Sequence, residues 1–436
     1  MSLSGLRKKV WNRRQSGFCL SSNGGPVKDL CFNARFYYRL YKVKKTILIT
    51  NIPTPYRIPL FNALGKQLLD MALHLQVVFA VKNYGRRKWH VHEQEFGFDY
   101  AFLQENEMQT TSEKAQFRYP GLFRFLIKEK PDLIIVSGFS TAAMVSWLYT
   151  KFTGVPFCIW SGEIPARGHR ISRLRKMQRL WLLKSCTRCI AYGSQAKQYL
   201  MQLGVPRTRI DIAINTVDTT FFSNQVNRIR QNRNSTTKKH ILAVGYMTAR
   251  KNYQSFIPIF EQLVKQRDDF VVDIVGDGPE RKKLEKLVHQ RQLQDTLIFH
   301  GYKQREALPE FYARAAMFLF PTEFDIWGLV LVESMAAGLP CLVSKNAGAC
   351  EDLIIEGKTG FLADFSDYQN TIEKINRLLD DPVGSNTIGG HAANFIRENA
   401  SIEQSVAGFQ SCISSIFQGN PAGFCDCQRQ TSSHIS

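Results

Sequence analysis

The sequence predicts an α/β protein made of two doubly wound domains, each with a parallel sheet between layers of helices. Two observations support this fold class. Short, continuous apolar runs that end in Gly, Asn or Ser recur along the chain, as expected of strands buried on both faces. Segments of helical length separate most of these runs, and one polar, basic stretch divides them into two series. A chain of 436 residues is long enough to give each series its own core.

The first series lies in a predicted N-terminal domain, residues 45–222. Its strand candidates are residues 46–51, 75–80, 132–138, 156–162, 188–193 and 210–215. Residues 1–44 precede these strands as a basic extension, for which we expect weak structure and predict no fold.

The second series follows a predicted linker, residues 223–239, which is polar and basic and has little to bury. The predicted C-terminal domain spans residues 240–400. Its strand candidates are residues 240–245, 270–277, 296–301, 317–322 and 341–344. A last helix, residues 401–418, precedes a tail, residues 419–436, whose Ser, Gln and Gly content predicts disorder.

Composition narrows the class of protein. No apolar run reaches the roughly 18 residues of a membrane span, and the N-terminus lacks the apolar region of a secretory signal. We therefore expect a soluble or peripheral protein.

The ten cysteines are scattered, which favours a reducing compartment. The local pairs of metal-type residues are Cys186 with Cys189, Cys425 with Cys427 and His90 with His92. Zinc sites usually combine two such cysteine pairs, so we favour structural cysteines over metal ligands here.

The net charge of +20 is distributed unevenly. Residues 1–45 carry 11 Lys and Arg against one acidic residue, and residues 46–222 carry 23 against 12. Residues 223–436 carry 23 against 24. This asymmetry predicts an anionic partner for the N-terminal half, such as a membrane surface, an anionic acceptor or nucleic acid.

The segment 321–345, PTEFDIWGLVLVESMAAGLPCLVSK, carries two acidic residues, Asp325 and Glu333, in a largely apolar stretch. It follows a strand candidate, and a helix is predicted from about Gly328 to Ala337. The unpaired N–H groups at the start of this helix suit an anionic phosphate. Glu333 either faces a cleft or occupies an exposed position on an amphipathic helix, and the spacing alone leaves both open.

This segment resembles the acid, seven residues, Glu signature of the family 4 retaining glycosyltransferases, and other motifs occur in family order. They are NIPTPYRIPLFNAL (51–64), WSGE (160–163), AYGSQAKQYLMQLGVPRTRIDIAINTVDTTFF (191–222), AVGYMTARKN (243–252), VGDGPERKKLE (275–285), FHGYKQREALPEFYARAAMFLFPT (299–322) and EDLIIEGKTGFLAD (351–364). The resemblance covers about residues 45–400, and this order of motifs is specific.

The resemblance implies the GT-B fold, in which two Rossmann-like domains face each other across a cleft and the last helix crosses back to the first domain. The second domain would bind a nucleotide-diphosphate sugar, and the first would bind the acceptor. No D-x-D triplet occurs in the chain, so we expect neither a metal nor another cofactor.

By the same resemblance, Lys251 binds the diphosphate, Asp325 contacts the transferred sugar and Glu333 binds the ribose hydroxyls. These three are the predicted catalytic residues. The predicted donor-binding set is Gly245, Tyr246, Arg250, Lys251, Gly301, Tyr302, Asp325, Gly328, Leu329 and Glu333. Two positions depart from the family pattern, since Tyr246 stands where Arg is usual and Asp325 where Glu is usual. Arg250 is a candidate for the second charge, and the shorter Asp325 bears on the identity of the sugar.

In the first domain, Tyr56, Arg57 and Glu163 are the candidates for the acceptor side of the cleft. Tyr56 and Arg57 follow the strand at 46–51, the position of the phosphate loop in many relatives; the alternative is a helix start shaped by proline. Glu163 follows the strand at 156–162 and is either an acceptor ligand or a helix cap.

Residues 167–185, RGHRISRLRKMQRLWLLKS, carry seven Lys and Arg among apolar residues at spacings of three to four. The apolar residues are Ile171, Leu174, Met177, Leu180 and Trp181. Such a pattern is typical of an interfacial helix on anionic lipid. It is also typical of a surface helix whose apolar stripe faces the core, and both interpretations remain open.

We therefore expect a retaining, hexosyltransferase-like enzyme that moves a sugar from a nucleotide-diphosphate donor to a glycan or lipid-linked acceptor. Its expected role is surface polysaccharide or glycolipid biosynthesis. Its expected location is cytoplasmic, at the inner face of a membrane through the basic N-terminal half. One alternative is a catalytically inert relative that binds nucleotide or glycan. Another is a nucleic-acid-binding protein, but no such module is recognisable and the second half is near neutral, so we expect no nucleic acid partner.

Overall fold

The computed structural model describes residues 43–85, 87–89, 91–108, 115–165, 172–232 and 238–418. It consists of two parallel β-sheets with interleaved helices, which confirms the predicted α/β class. Several features of the sequence analysis lie outside the described residues: the extension up to residue 42, the tail 419–436, residues 167–171, His90, Cys425 and Cys427.

The first sheet, in the part of the chain that is described, has seven strands. They are β1 Lys44–Thr50, β2 Leu73–Phe79, β3 Asp99–Phe102, β4 Leu133–Ser137, β5 Phe157–Ser161, β6 Arg188–Ala191 and β7 Ile210–Ile212. Their order is β3-β2-β1-β4-β5-β6-β7 and all pairs are parallel. The sequence analysis missed β3, because this edge strand begins with two exposed residues and lacks an apolar run.

The second sheet has six strands within the described residues. They are β8 Lys239–Val244, β9 Phe270–Val275, β10 Leu297–Gly301, β11 Ala315–Phe320, β12 Cys341–Ser344 and β13 Phe361–Ala363. Their order is β10-β9-β8-β11-β12-β13, again all parallel. The strand β13 was also missed, since three residues are too few to give a periodic signal.

Helices cover both faces of the two sheets. Those of the described residues are α1 Ile58–Asp70, α2 Leu122–Glu129, α3 Thr141–Thr153, α4 Arg173–Ser185, α5 Ser194–Gln202, α6 Thr219–Gln231, α7 Phe256–Leu263, α8 Arg281–Gln290, α9 Leu308–Arg314, α10 Leu329–Ala336, α11 Cys350–Leu353, α12 Tyr368–Asp380, α13 Pro382–Asn399 and α14 Ile402–Gln418. Short 3₁₀ turns occur at Glu93–Glu95, Arg207–Arg209, Ala249–Lys251, Tyr253–Ser255 and Arg305–Ala307. Among the helices of the described residues, none is long and apolar enough to cross a bilayer.

The first half of the predicted linker, residues 223–239, is helical, which corrects the sequence analysis. Helix α6 starts where the Asp218 carboxylate accepts a hydrogen bond from the N–H of Phe221 at 2.9 Å. Phe222 and Val226, one turn apart, are buried in the core of the second domain. The polar and basic residues that suggested a linker occupy the outer face of this helix, so two apolar side chains are enough to dock it.

The last helix, α14, follows the second domain in sequence but packs against the first. Its side chains Val406, Phe409 and Ile413 belong to the same buried cluster as residues of β1, β2 and α1. The ring of Phe409 lies 5.0 Å from that of Trp160 on β5, measured between centroids.

The two domains meet at the edges where their central strands end. Tyr56 and Tyr192 of the first domain pack against the core cluster of the second, and Phe324 of the second packs against a cluster of the first. Strand order reverses between β1 and β4 in one sheet and between β8 and β11 in the other. Ligands of open α/β sheets bind at such reversals, so the loops after these strands define the region to examine.

Candidate active site

The loop after β8 is fixed by close backbone contact with the loop after β9. Gly276 has φ +142°, and a Cβ atom there would lie 1.9 Å from the carbonyl oxygen of Gly245. The N–H of Met247 donates to the carbonyl of Asp277 at 2.9 Å. Only glycine permits this approach. The contact holds the loop that carries the predicted donor residues Gly245 to Lys251.

Lys251 and Asp325 come together although 74 residues separate them. Lys251 is nearly buried, and its ammonium group donates a hydrogen bond to the Asp325 carboxylate. An Nη1 atom of Arg250 lies 3.6 Å from the other carboxylate oxygen and donates to the carbonyl of Phe324 at 3.1 Å. The loops after β8 and β11 therefore place two cations beside one acid, at the strand-order reversal. Tyr246, at the position where the family usually has Arg, is half-buried in the same loop.

Helix α10 begins at Leu329, shortly after Asp325 in the sequence. Gly328 has φ +106° and lies against the ring of Phe320, where a Cβ atom would come within 2.6 Å of a ring carbon. Among the described residues no side chain caps the helix, so its first N–H groups are left without a side-chain partner at the end next to the loop that carries Asp325. The helix covers Leu329–Ala336, which confirms the predicted helix at 328–337.

Glu333 is half-buried in the second domain and does not occupy an exposed helix face. The hydroxyl of the fully buried Tyr312 donates a hydrogen bond to Oε2 of Glu333 at 2.8 Å. Burial raises the pKa of Glu333 to about 7, although the hydrogen bond from Tyr312 and the charge of Arg305 act in the opposite direction. The sequence analysis named neither Tyr312 nor Arg305.

Gly301 ends β10 and Tyr302 follows it, next to a loop of the first domain. Tyr302 donates to the side-chain oxygen of Gln304 at 3.2 Å, and the Gln304 amide donates to the carbonyl of Lys88 at 2.9 Å. The Lys88 ammonium lies 2.6 Å from a carboxylate oxygen of Asp277. The first domain thus reaches across to the donor-side loops. Lys88 was not predicted from the sequence; the basic run GRRKWH, residues 85–90, is the signal that could have pointed to it.

Arg57 lies at the start of α1, beyond the carboxyl end of the central strand β1. Its guanidinium donates to Thr50 Oγ1 at 3.1 Å and to the hydroxyl of Tyr192, and it lies 4.4 Å from the centroid of the Trp160 ring. The Nε atom is buried and has no hydrogen-bond partner among the described residues. None of the described carboxylates lies within ion-pair distance of Arg57.

The neighbouring Tyr56 lies 6.2 Å from the ring of Trp89, which is another first-domain side chain that the sequence analysis did not name. Helix α1 also has Pro59 in its first turn, so the proline-shaped helix start and the position at the cleft occur together.

Glu163 is paired with Arg179 of α4. The guanidinium contacts both carboxylate oxygens, with Nε at 3.0 and 2.9 Å and Nη2 at 2.7 Å. Neither interpretation of Glu163, acceptor ligand or helix cap, included this partner. The pair ties the loop after β5 to helix α4.

A second set of contacts joins the two domains near the start of α5. The Ser194 hydroxyl donates to Asp352 at 2.6 Å and the Ser194 N–H donates at 2.9 Å. Trp327 lies against Gly193, where a Cβ atom would come within 2.3 Å of a ring carbon. These contacts were not predicted, because no local sequence pattern shows which side chains meet across two domains.

In the described parts of the chain, no group of three or more His, Cys, Asp or Glu residues is placed to bind a metal ion. Cys186 and Cys189 are both buried, with sulfur atoms 3.5 Å apart.

Two family models match this chain. The model described as Glycosyl transferases group 1 covers residues 225–400, and the one described as Glycosyltransferase Family 4 covers residues 108–221. The chain belongs to the family 4 glycosyltransferases.

Curated relatives of this glycosyltransferase include the sulfoquinovosyl transferase SQD2 of Arabidopsis thaliana. It is 33% identical over 171 residues, which are 38% of this chain and 32% of the relative. The N-acetyl-alpha-D-glucosaminyl L-malate synthase of Bacillus anthracis is 24% identical over 224 residues, which are 51% of this chain and 58% of the relative. The chain thus spans between 32% and 58% of the length of these two relatives.

Solved structures of similar shape cover 85–86% of the chain of this glycosyltransferase. HepE of Anabaena in complex with UDP has a TM-score of 0.68 at 17% identity and covers 85% of this chain and 100% of its own. Sucrose-phosphate synthase of Thermosynechococcus elongatus has a TM-score of 0.69 at 18% identity and covers 86% of this chain and 100% of its own. At this identity the likeness shows the fold, and it confirms the expected GT-B class.

Proposed function

We propose that this glycosyltransferase catalyses retaining transfer of a sugar from a nucleotide-diphosphate sugar to a glycan or lipid-linked acceptor. The acceptor would belong to surface polysaccharide or glycolipid biosynthesis. The observation that carries the proposal is the meeting of Lys251, Asp325 and the start of α10 at the strand-order reversal of the second sheet.

The chemistry of the reaction fits these groups. The bond between the anomeric carbon and the diphosphate oxygen breaks, and a bond from the acceptor oxygen forms on the same face of the sugar. Negative charge develops on the departing diphosphate, where Lys251 and the N–H groups of α10 would stabilise it. The acceptor proton passes to an oxygen of the leaving diphosphate. No protein base is therefore assigned, and we propose that neither a metal nor another cofactor takes part.

Donor binding requires Lys251 to exchange partners. Without the donor its ammonium pairs with Asp325, so an incoming diphosphate would draw the cation away and release the carboxylate for the sugar hydroxyls. Arg250, 3.6 Å from Asp325, remains to compensate that acid. Glu333 would accept hydrogen bonds from the ribose in its ionised form.

Polar atoms without partners support ligand binding on both sides of the cleft. Among the described residues, Thr54 Oγ1 and Arg57 Nε after β1, and Thr248 Oγ1 after β8, are buried and lack a hydrogen bond. Leaving such a group unsatisfied costs about 1–3 kcal/mol, so these atoms are candidates to contact substrate. Because no described carboxylate lies within ion-pair distance of Arg57, its charge favours an acceptor with an anionic group.

Among the structural neighbours, HepE is described in complex with UDP and with UDP-glucose. This supports a nucleotide-sugar donor and makes uridine nucleotides the first to test. A thermal-shift panel of UDP-, GDP- and ADP-sugars would identify the donor, since ligand at about 100 times its Kd adds about 2.7 kcal/mol of stability. Nucleotide release with an acceptor extract then separates an enzyme from an inert binder. Binding without release would contradict the proposed activity.

The proposal places the protein at the cytoplasmic face of an anionic membrane, because the excess positive charge belongs to its N-terminal half. Each Lys or Arg near such a surface contributes on the order of 1 kcal/mol, and salt screens the attraction. The protein should therefore sediment with anionic vesicles at low salt and be released at high salt. Equal binding to neutral vesicles would contradict this electrostatic location.

A further inference from the structure

Helix α4 presents a row of apolar side chains away from the core. Leu174 is 78% exposed, Met177 63% and Trp181 39%, and their spacing of three and four residues places them on one face. Leu182 and Leu183 are the buried residues that dock the helix. Of the two interpretations of this segment, an apolar stripe that faces the core is wrong for these side chains.

Helix α3 extends this row. Leu148 is 42% exposed and Phe152, one turn further, 76%. The rings of Trp147 on α3 and Trp181 on α4 have centroids 3.8 Å apart and join the two helices. We call the exposed apolar residues of this region the α3–α4 surface: Leu148, Phe152, Leu174, Met177, Leu180 and Trp181.

The charged residues of helices α3 and α4 are all positive. Five exposed cations flank it: Lys151, Arg173, Arg175, Lys176 and Lys184. Within the described residues, no carboxylate lies within ion-pair distance of any of them. Between Asp132 and Asp211 the sequence has a single acidic residue, Glu163, and Arg179 already neutralises it.

We propose that the α3–α4 surface docks on an anionic lipid bilayer. Large apolar side chains with Trp and a fringe of exposed cations have the composition of an interfacial membrane contact. A second copy of the chain fits poorly, because a symmetric contact would bring the cations of one copy against those of the other. The proposal rests on the membrane location proposed above and assigns the surface responsible for it.

This surface adjoins the acceptor side of the cleft. The ion pair between Glu163 and Arg179 ties α4 to the loop after β5, and Arg179 also lies 5.2 Å from the ring of Phe139 in the loop after β4. Docking through α4 would therefore bring the cleft edge of the first domain close to the lipid headgroups. A lipid-linked acceptor could then enter the cleft without leaving the bilayer.

The apolar part of the surface is tested with Leu174→Ser and Phe152→Ser together. Both side chains are exposed, so the variant should fold and keep its nucleotide affinity. Binding to vesicles of phosphatidylglycerol and phosphatidylcholine mixed one to one should fall by about tenfold or more, since two inserted apolar side chains are lost. Val383→Ser on α13 is the matched control, because Val383 is 77% exposed in the second domain. That control should bind like the wild type.

The cationic part is tested with Arg175→Gln and Lys176→Gln against Lys282→Gln and Lys286→Gln on α8, which change net charge equally at exposed positions. The first pair should weaken vesicle binding by about fivefold per charge at low salt, and the second should not. If the wild type binds no anionic vesicles, both the membrane location and the docking surface are wrong. If it binds and all variants bind equally, the location stands and the surface assignment is overturned. If the α3–α4 variants change the sedimentation mass instead, the surface is an interface between copies.

Discussion

The hydroxyl of Tyr312 donates a hydrogen bond to Oε2 of Glu333 at 2.8 Å, inside the second domain. This contact joins α9 to α10 and fixes the rotamer of the carboxylate. Because Tyr312 is fully buried, its hydroxyl has few alternatives to this acceptor. The hydrogen bond therefore fixes the position of the group proposed to bind the ribose, and it partly opposes the rise in pKa that burial causes.

We expect Tyr312→Phe to destabilise the protein more at pH 8 than at pH 6. A hydrogen bond to a charged group contributes about 1.5–3 kcal/mol, and one to a neutral group about 0.5–1.5 kcal/mol. The raised pKa of Glu333 makes the acid neutral at the lower pH and charged at the higher. Because the folded-state pKa of Glu333 lies above its unfolded value, stability falls as pH rises from the unfolded pKa towards the folded one. Loss of the donor raises the folded-state pKa further and extends this fall to higher pH. Urea unfolding at both pH values measures the difference, and equal losses would contradict the role of this bond.

Nucleotide binding should strengthen as pH rises through about 7, the pKa of Glu333. The ribose hydroxyls donate to the ionised carboxylate, whereas the protonated acid is a poorer acceptor. Below pH 7 the nucleotide must first displace a proton, which lowers its apparent affinity. Calorimetric titration of a free nucleoside diphosphate between pH 6 and pH 8 measures this dependence.

Glu333→Gln is the control for that pH dependence, because it removes the titrating group but keeps the size of the side chain. Any dependence of nucleotide affinity on pH that persists in this variant comes from ionisation of the nucleotide's own phosphate. If the wild type and the variant show the same slope, Glu333 does not contribute to binding.

We expect Lys88→Ala to weaken donor binding severalfold with little effect on stability. Lys88 reaches from the first domain to Asp277 beside the donor loops, and it holds the pKa of Asp277 below its usual range. Exposed ion pairs contribute about 0–1 kcal/mol, which corresponds to at most about a fivefold change. Asp277→Asn should have the same effect and the double variant no larger one. Additive losses in donor KM would show that the two residues act separately.

The sequence was sufficient to predict most of the fold. Eleven strand candidates correspond to strands, because buried parallel strands leave continuous apolar runs whatever their neighbours are. It failed where burial is slight, as in β3, or where helical periodicity rests on few side chains, as in α6, whose buried apolar residues Phe222 and Val226 stand among polar ones.

The site was only partly predictable for a different reason. The motifs supplied Lys251, Asp325 and Glu333, but nothing local shows that the first two form an ion pair or that Tyr312 engages the third. Arg179 and Asp352 find their partners through tertiary contacts. The exposed apolar face of α4 was likewise undecided, because amphipathic spacing is the same whether the stripe faces a core or a membrane.

We expect Lys251→Ala to lower the rate of transfer by roughly a hundredfold or more and to weaken donor binding, because a fixed cation beside the developing diphosphate charge is lost. The variant should also be less stable, since the Asp325 carboxylate loses its main partner in a partly buried site, a loss of about 3–5 kcal/mol for a fully buried pair. Nearby Arg250 should moderate this cost. Transfer assays and urea unfolding measure the two effects.

The double variant Lys251→Ala, Asp325→Asn separates stability from catalysis. Neutralising the unpaired acid should restore part of the stability, whereas transfer should remain as slow as in the single variant. If transfer recovered with stability, the first result would reflect misfolding and not the loss of a catalytic cation. Lys282→Ala on the exposed face of α8 should match the wild type in both measurements.

Asp325 and Glu333 should recognise different halves of the donor. Glu333→Gln should weaken binding of free nucleoside diphosphate and of the intact donor alike, by roughly tenfold to a hundredfold, because it contacts a part that does not react. Asp325→Asn should lower transfer by a similar factor. It should leave binding of the free diphosphate unchanged or make it tighter, since Asp325 competes with the diphosphate for Lys251. Titration of free nucleoside diphosphate into both variants, followed by transfer assays, tests the assignment. Weaker diphosphate binding in Asp325→Asn with normal binding in Glu333→Gln would reverse the two roles, and no effect in either variant would place both acids outside the donor site.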